Sequence, residues 1–238
     1  MPISHPDSKV AVITGGGRGI GLAIARVFSG AGFQVVIMGR NQARLGAAAK
    51  EMRQGSVQPL PCDVTDSAAV DEAFRRIREM HGKIDVLVNN AGTAHALAAV
   101  EKFPIETWKQ VIDTNLTGTF LVTRSALPLM QAGGTIVNNL SIAAVQPFAG
   151  MSAYNASKFG AMGFTMALRE DLRKRGIRVI ALLPGATDTD IWQQFWPDAP
   201  REKMVSPETV AEAVLHAVLA PANASIDEIR VLPAAGVL

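Results

Sequence analysis

The chain runs to 238 residues, 48% of them hydrophobic and 18% charged, with a formal net charge of +2. That balance builds a large core and excludes a disordered chain. Cationic residues are dispersed, and the densest group, Arg173-Lys174-Arg175, falls where a helix would end, which argues against a nucleic-acid stripe.

The opening stretch, "MPISHPDSKV", lacks the apolar run of a secretory leader. "KVAVIT" (9–14) reads as a buried strand, followed by a glycine-rich turn and a helix over about 19–30. "QVVIM" (34–38) predicts a second strand, with a helix starting near Asn41. "SVQPL" (56–60) predicts a third, and a helix from Asp66 to about Met80 sets Val70, Phe74 and Ile77 on one face. Between those two lies Cys62, the only cysteine; it allows no internal disulfide, suits a reducing compartment and reads as a small buried hydrophobe. "KIDVLVNN" (83–90) predicts a fourth strand, then helical stretches around 106–114 and 116–130. "GTIVNNL" (134–140) predicts a fifth, and a long helix is expected from Ser152 to about Arg175, stopped by Gly176. "IRVIALL" (177–183) and "IDEIRVL" (226–232) close the pattern, with a helix over 207–219 between them. His5, His81, His95 and His216 show no metal-ligand spacing. No apolar run approaches the length of a membrane span. The expectation is a soluble, cytoplasmic, metal-free protein.

Nearly continuous apolar strands alternating with helices imply an α/β fold: a doubly wound parallel sheet of about seven strands with helices on both faces. Nothing in 1–238 resembles a linker, a repeat or a low-complexity tract, so one domain is expected.

"TGGGRGIG" (14–21) sits between the first strand and the first helix, where such a fold binds a dinucleotide pyrophosphate. Gly15, Gly19 and Gly21, spaced G-x3-G-x-G, let the backbone approach phosphates and let the helix pack on the strand. A tight turn with no ligand has the same composition. The ribose end is also legible. A site for a free 2′-hydroxyl expects an acid about 20 residues on, yet no Asp or Glu occurs between Asp7 and Glu51. Arg18 in the turn and Arg40 after the second strand instead suit a 2′-phosphate, hence NADP.

"SAYNASKFG" (152–160) holds the only tyrosine of the chain, Tyr154, with Lys158 one helical turn later. An ammonium beside a phenol favours the phenolate, which lowers the phenol's pKa and makes it a better proton donor near neutrality. The spacing alone fits a solvated surface pair equally well.

Together these motifs resemble the short-chain dehydrogenase/reductase family, from about Ser8 to Pro233. The match rests on "TGGGRGIG", "CDV" (62–64), "NNAG" (89–92), Asn115, Ser141, "YNASK" and "PGATDT" (184–189), in that order. The resemblance implies a Rossmann-type NADP(H)-dependent oxidoreductase acting on a small carbonyl or alcohol substrate. It makes Tyr154 the acid/base, Ser141 the hydrogen-bond donor to the carbonyl, Lys158 a holder of the nicotinamide ribose, and Asn115 a support for a water-linked proton path. It further implies cofactor contacts from Ile20 beside the glycines, from Asp63 and Val64 at the adenine, and from Asn90, Ala91 and Gly92 on the fourth strand. Pro184, Gly185, Thr187 and Thr189 are implied at the nicotinamide. A homotetramer is also implied, with Leu116, Phe120, Leu127, Phe159 and Phe164 as candidates for either the subunit interface or the subunit's own core.

Two departures stand out. Leu140 occupies a position where the family often has a second hydroxyl, and "IDEIRVLPAAGVL" lacks the frequent "VDGG"-like ending. The latter weakens a specific reading as a 3-oxoacyl-thioester reductase, which stays the alternative within the enzyme class. A nucleotide-sensing regulator on the same fold is the alternative outside it, but such a protein has no need to keep Ser141, Tyr154 and Lys158 together.

Between Gly185 and Pro207 the alternation stops and "DTDIWQQFWPDAPREKM" appears. A short helix over 190–196 would set Trp192 and Trp196 on one face, with Ile191 and Phe195 on the adjacent one. In the family this region, about 186–206, covers the nicotinamide end as a lid. Trp192 and Trp196, with His95 and Phe148 opposite, are then the expected substrate contacts, favouring compact hydrophobic or aryl carbonyls. The same aromatics could instead pin the loop to the core.

Overall fold

Val10–Thr14 is buried along its whole length, and its side chains alternate between two separate hydrophobic layers. Ala11 and Ile13 join one layer, Val12 the other. The same split recurs in the second strand, where Val35 and Ile37 face one way and Val36 and Met38 the other. A strand apolar on both faces needs helices on both faces, and this requirement sets the architecture.

The computed structural model describes residues 8–52, 55–221 and 223–236. Residues 1–7 of the opening stretch read for a leader, with His5 and Asp7, and the last two residues of the chain lie outside the described residues. The strands are β1 (Val10–Thr14), β2 (Gln34–Gly39), β3 (Val57–Pro61), β4 (Ile84–Asn89), β5 (Met130–Asn139), β6 (Arg178–Pro184) and β7 (Glu228–Val231). They form one parallel sheet in the order β3-β2-β1-β4-β5-β6-β7. Order reverses between β1 and β4, and the carboxyl ends of those strands open a crevice where ligands bind in doubly wound sheets.

The helices are α1 (Gly19–Gly30), α2 (Gln42–Lys50), α3 (Ser67–His81), α4 (Ile105–Ile112), α5 (Gly118–Ala126), α6 (Ser152–Arg173) and α7 (Pro207–Val218). α1, α2 and α7 cover one face, and α3, α5 and α6 the other. Local chemistry sets their ends. Asp66 caps α3 by accepting from the Ala68 and Ala69 amides, and Gly82 ends it in the left-handed region. Gly176, at φ +66°, turns the chain after α6 as the sequence predicts. Among the described residues, no helix is long and apolar enough to cross a membrane.

One stretch departs from expectation. The break expected between 114 and 116 is a π-helical turn, Asp113–Thr117, inside an otherwise continuous helical path, and the helix expected to reach 130 ends at Ala126. Its cause is Asn115. The side chain is buried and bonds both backbone groups of Thr93, which holds the helix in a wider turn. The fifth strand also starts early, at Met130, with a register irregularity between the pairs Ile84–Met130 and Val86–Thr135. Behind the site, a buried polar row ties β4, β5, α5 and α6 together. Asn89 donates to Thr123 and Asn138, and Asn138 to Thr165, at 2.8–2.9 Å.

Candidate active site

The glycine turn is shaped by the strand beside it. Thr14 Oγ1 accepts from the amides of Asn90 and Ala91, both at 2.9 Å, so the ends of β1 and β4 are stitched together. The Asn90 side chain donates to Thr14 O and Gly15 O. A Cβ at Gly21 would lie 2.3 Å from Asn90 Nδ2 and 2.5 Å from Gly15 O, and Gly15 itself needs φ +66°. No side chain fits there. Arg18 caps α1 through its backbone alone, so the first amides of that helix stay open toward the cavity in front of them.

That cavity measures about 590 Å³ and crosses the carboxyl ends of the central strands, a size typical of small-molecule sites. At one end Arg18, Arg40 and a third cation, Arg44, line the wall. Arg44 sits in the first turn of α2, whose start is fixed by Asn41 accepting from the Arg44 amide at 2.9 Å. Asp63 is there too, but its carboxylate is taken up by the Thr65 amide and hydroxyl. Asp190 lies 3.9 Å from Arg18, with both groups well exposed. Arg40 and Arg44 make no ion pair among the described residues. A cradle with no room for a Cβ, next to three guanidiniums, fits a dinucleotide bearing a 2′-phosphate. Cys62 also lines this end; burial, aided by Asp63 and Asp66, pushes its thiol up to about 11, so it is no nucleophile at neutral pH.

At the middle of the cavity Ser141, Tyr154 and Lys158 share one wall. Ser141 follows β5 and caps a short turn by accepting from Ala143 N at 3.1 Å. Lys158 is buried, its ammonium donating to Asn139 O at 3.1 Å and lying 5.5 Å from the centre of the Tyr154 ring. Burial drops Lys158 to about 8. The expected lowering of the tyrosine is reversed: burial pushes the Tyr154 phenol up, and the opposing pull comes from a hydrogen bond with Ser141. The Lys158 ammonium hydrogen-bonds a backbone carbonyl and not the phenol, and desolvation sets the direction.

Asn115 does not line the cavity. Its side-chain nitrogen donates to Thr93 O and Ser157 Oγ at 3.0 Å, and Ser157 in turn donates to Tyr154 O at 2.7 Å. Its neighbours are nonetheless those of the site, since a Cβ on Gly92 would sit 3.4 Å from Asn115 Oδ1 and 3.9 Å from Lys158 Nζ. His95 is a correction. It was expected on the substrate wall, but it is buried and does not line the cavity. Its Nδ1 lies 2.8 Å from Ala96 O, and its Nε2 accepts from the Tyr154 amide at 3.2 Å.

The far end is apolar. Phe148, Met151 and Leu97 line one side, and Trp192, Phe195 and Trp196 the other. The short helix expected over 190–196 is a 3₁₀ turn, Asp190–Gln194. Three residues per turn bring i and i+3 together. Trp192 therefore packs against Phe195 at 4.7 Å between ring centres, nearer than Trp196 at 6.1 Å. Trp192 is also the loop's own anchor: it is 9% exposed, packs on Ala186 and Ala199, and donates from its indole to Thr187 O at 2.8 Å. Trp196 is 41% exposed.

A family model described as short chain dehydrogenase matches residues 9–200. This chain belongs to the short-chain dehydrogenase family. An uncharacterized oxidoreductase of Staphylococcus aureus strain USA300 is 35% identical over 227 residues, covering 94% of this chain and 97% of its own. A tryptophan variant of the actinorhodin polyketide ketoreductase, solved with NADPH, is 32% identical with a TM-score of 0.86 and covers 97% of this chain and 98% of its own. A 3-ketoacyl-(acyl-carrier-protein) reductase of Brucella melitensis, solved with NADH, is 29% identical with a TM-score of 0.88 and covers 96% and 98%.

For a short-chain dehydrogenase, this one fastens the loop over 186–206 by contacts that sequence reading missed. Gln194 Oε1 accepts from Ala94 N at 2.9 Å and from Thr93 Oγ1 at 3.2 Å. Arg201 donates to Asp188 at 2.6 Å and to Thr189 O at 2.7 Å. Arg44 was also missed, although its spacing of four from Arg40 and three from the cap residue Asn41 carried a signal. Gln194 carried none, because its partners lie a hundred residues away.

Proposed function

We propose that the chain is an NADP(H)-dependent carbonyl reductase, or secondary alcohol dehydrogenase in reverse, acting on compact apolar or aryl ketones and aldehydes. The observation that carries this reading is the convergence of Ser141, Tyr154 and Lys158 on one cavity whose two ends differ in kind. Three guanidiniums stand at one, and an apolar aromatic wall at the other.

The amides of the glycine turn and of α1 would hold the pyrophosphate, with Arg18, Arg40 and Arg44 on the 2′-phosphate and Lys158 on the nicotinamide ribose. Pro184, Gly185, Thr187 and Thr189, all lining the cavity or facing its glycine turn, would meet the nicotinamide. When bound, the cofactor supplies the hydride that reduces the carbonyl carbon. Negative charge then grows on the carbonyl oxygen. The Ser141 hydroxyl hydrogen-bonds that oxygen and the Tyr154 phenol gives it a proton. The phenol is protonated at neutral pH, as its raised pKa requires, and the charge growing on the carbonyl oxygen draws the proton off. Lys158 holds its charge behind the ring, where it eases the phenolate left after transfer. Residues 186–206 act as the lid that excludes water.

The name of one structural neighbour, the 3-ketoacyl-(acyl-carrier-protein) reductase, points to a second reading, a 3-oxoacyl-thioester reductase. Against it, among the described residues no Lys or Arg lines the apolar end, where an anionic carrier arm would enter. The test is a panel of alkyl ketones, aryl ketones, aldehydes and 3-oxoacyl thioesters, followed by loss of NADPH or NADH absorbance. Highest kcat/KM for an aryl or compact apolar carbonyl with NADPH supports the reading; a thioester in front overturns it.

The assembly belongs to the same proposal. Phe120 and Phe159 are each 45% exposed, whereas Leu116, Leu127 and Phe164 pack on the chain's own core. A homotetramer would cover the two exposed rings. A light-scattering mass near 25 kDa at micromolar concentration excludes it.

A further inference from the structure

Helix α6 carries both Tyr154 and Lys158, and Tyr154 lies in its first turn. The first amides of a helix have no intrahelical acceptor, and Met151, at the cap position, offers no side-chain bond. The turn that must hold the phenol against Ser141 therefore takes an amide acceptor from outside the helix.

His95 supplies the missing acceptor. Its Nδ1 bonds Ala96 O, so the proton sits on that nitrogen and Nε2 presents a lone pair to the Tyr154 amide. The ring plane is fixed by Phe103, edge-on with centres 4.6 Å apart. The segment bearing it is clamped in turn: Thr93 by Asn115 through both backbone groups, Ala94 by Gln194. Docking of α6 itself has a separate anchor. Asn155 accepts from Phe148 N and donates to Ala143 O and Gln146 O.

We propose that His95 is a positioning residue for the reaction, holding the Tyr154 backbone so that its phenol stays in register with Ser141 and the carbonyl oxygen. The proposal rests on Tyr154 being the proton donor. Misplacing a reacting group by about 1 Å costs on the order of a hundredfold in rate, so loss of this single acceptor should lower kcat by about tenfold to a hundredfold. NADPH affinity should hold, because the cofactor end is built by other residues.

The test compares full-length His95→Phe and His95→Gln with the unaltered enzyme, using NADPH and the best carbonyl of the substrate panel. Phe keeps the packing and loses the acceptor; Gln extends an amide oxygen to about where Nε2 sits. Expected is a low kcat for His95→Phe with the NADPH Kd and carbonyl KM held within about threefold, and recovery of most of the rate in His95→Gln. A His95→Phe enzyme within twofold of normal kcat overturns the proposal, as does a His95→Gln enzyme no faster than His95→Phe. Should His95→Phe give no NADPH-binding protein, Phe103→Leu decides: it keeps both nitrogens but frees the ring, and an unchanged kcat there overturns the proposal while a severalfold loss at constant NADPH Kd supports it. Tyr154→Phe run alongside separates the two readings. If it stays active, the proton-donor role fails; if it is dead while His95→Phe is normal, only the positioning role fails.

Discussion

At the guanidinium end the wall of the cavity is largely backbone: the glycine turn, the start of α1 and the ends of β1 and β4, stitched through Thr14 and Asn90. At the apolar end the wall is side chain, with Trp192, Phe195 and Trp196 on a loop fastened by Gln194 and Arg201. The first end is fixed by the sheet, the second by a few distant contacts. Backbone walls tolerate little substitution but keep their shape without help. Side-chain walls set which molecule fits and yield to single changes.

Breaking the chemistry common to both ends gives the largest effect. Tyr154→Phe should lower kcat by roughly a hundredfold to ten-thousandfold, the range of a lost general acid. NADPH titration should stay near normal, since neither end of the wall is altered. Lys158→Ala should damage both kcat and NADPH affinity. Single-turnover NADPH oxidation beside fluorescence titration checks both, and a Tyr154→Phe enzyme that keeps most of its kcat sinks the assignment.

The apolar end separates an anchor from a contact. Trp192→Ala empties a buried site and should cost about 3–5 kcal/mol of stability, read as a lower urea midpoint. Trp196→Ala removes a side chain 41% exposed and should leave the midpoint nearly unchanged while raising KM for aryl ketones more than for small ones. Equal destabilisation by the two would mean that both are anchors and that the aromatic wall selects nothing.

Lys158 tests the burial between the two ends. Its folded pKa of about 8 lies below the ordinary lysine value of 10.5, with desolvation as the cause. Below pH 8 the lysine is charged in both states and the native state bears the full cost of burying it, about 3 kcal/mol for such a shift. From 8 to 10.5 the native form loses its proton first, the unfolded chain binds more protons, and stability rises with pH. Lys158→Met, uncharged and similar in length, should therefore gain on the unaltered apoprotein at pH 7 and lose most of that advantage by pH 10. Urea unfolding at both values decides; a difference independent of pH would mean that the ammonium is not desolvated.

Why one end was legible in the sequence and the other was not follows from the same contrast. "TGGGRGIG", "NNAG" and the apolar strand runs are short, and their physics is local: a turn with no room for Cβ, a strand buried on both faces. The wide turn at Asn115 was hidden because its cause is a bond to Thr93, 22 residues earlier. His95 looked like a wall residue because nothing near it in sequence announces a bond to the amide of Tyr154. Even the phenol's pKa was misjudged for this reason: spacing brought the ammonium close, but only the fold turned it onto Asn139 O.

The guanidinium end makes the next prediction. Charge-assisted pairs contribute roughly 1.5–3 kcal/mol each, so Arg40→Asp should cost tenfold or more in NADPH affinity and turn the preference toward NADH. Arg44→Ala should cost less, since Arg18 and Arg40 remain, and should leave NADH binding unchanged. Equal kcat/KM for the two cofactors in the unaltered enzyme would remove the assigned role of all three arginines.

The smallest effect belongs to the latch. Gln194 Oε1 accepts two hydrogen bonds from the segment that also carries His95. Each neutral bond of this kind contributes about 0.5–1.5 kcal/mol net, and part of that is recovered by water when the lid opens. Gln194→Ala should thus shift the lid toward open by a few-fold, raising carbonyl KM by about twofold to tenfold with kcat little changed. Gln194→Glu keeps an acceptor of the same reach and should stay near normal, provided Ala94 N and Thr93 Oγ1 both still donate to it. A fall in kcat equal to the rise in KM would place Gln194 in the transition state rather than in the latch. Stopped-flow of tryptophan fluorescence on ketone binding, taken as the difference between the enzyme and Trp196→Phe, reads the loop, and an unchanged closing amplitude in Gln194→Ala would show that the loop is held by Arg201 and Trp192 alone.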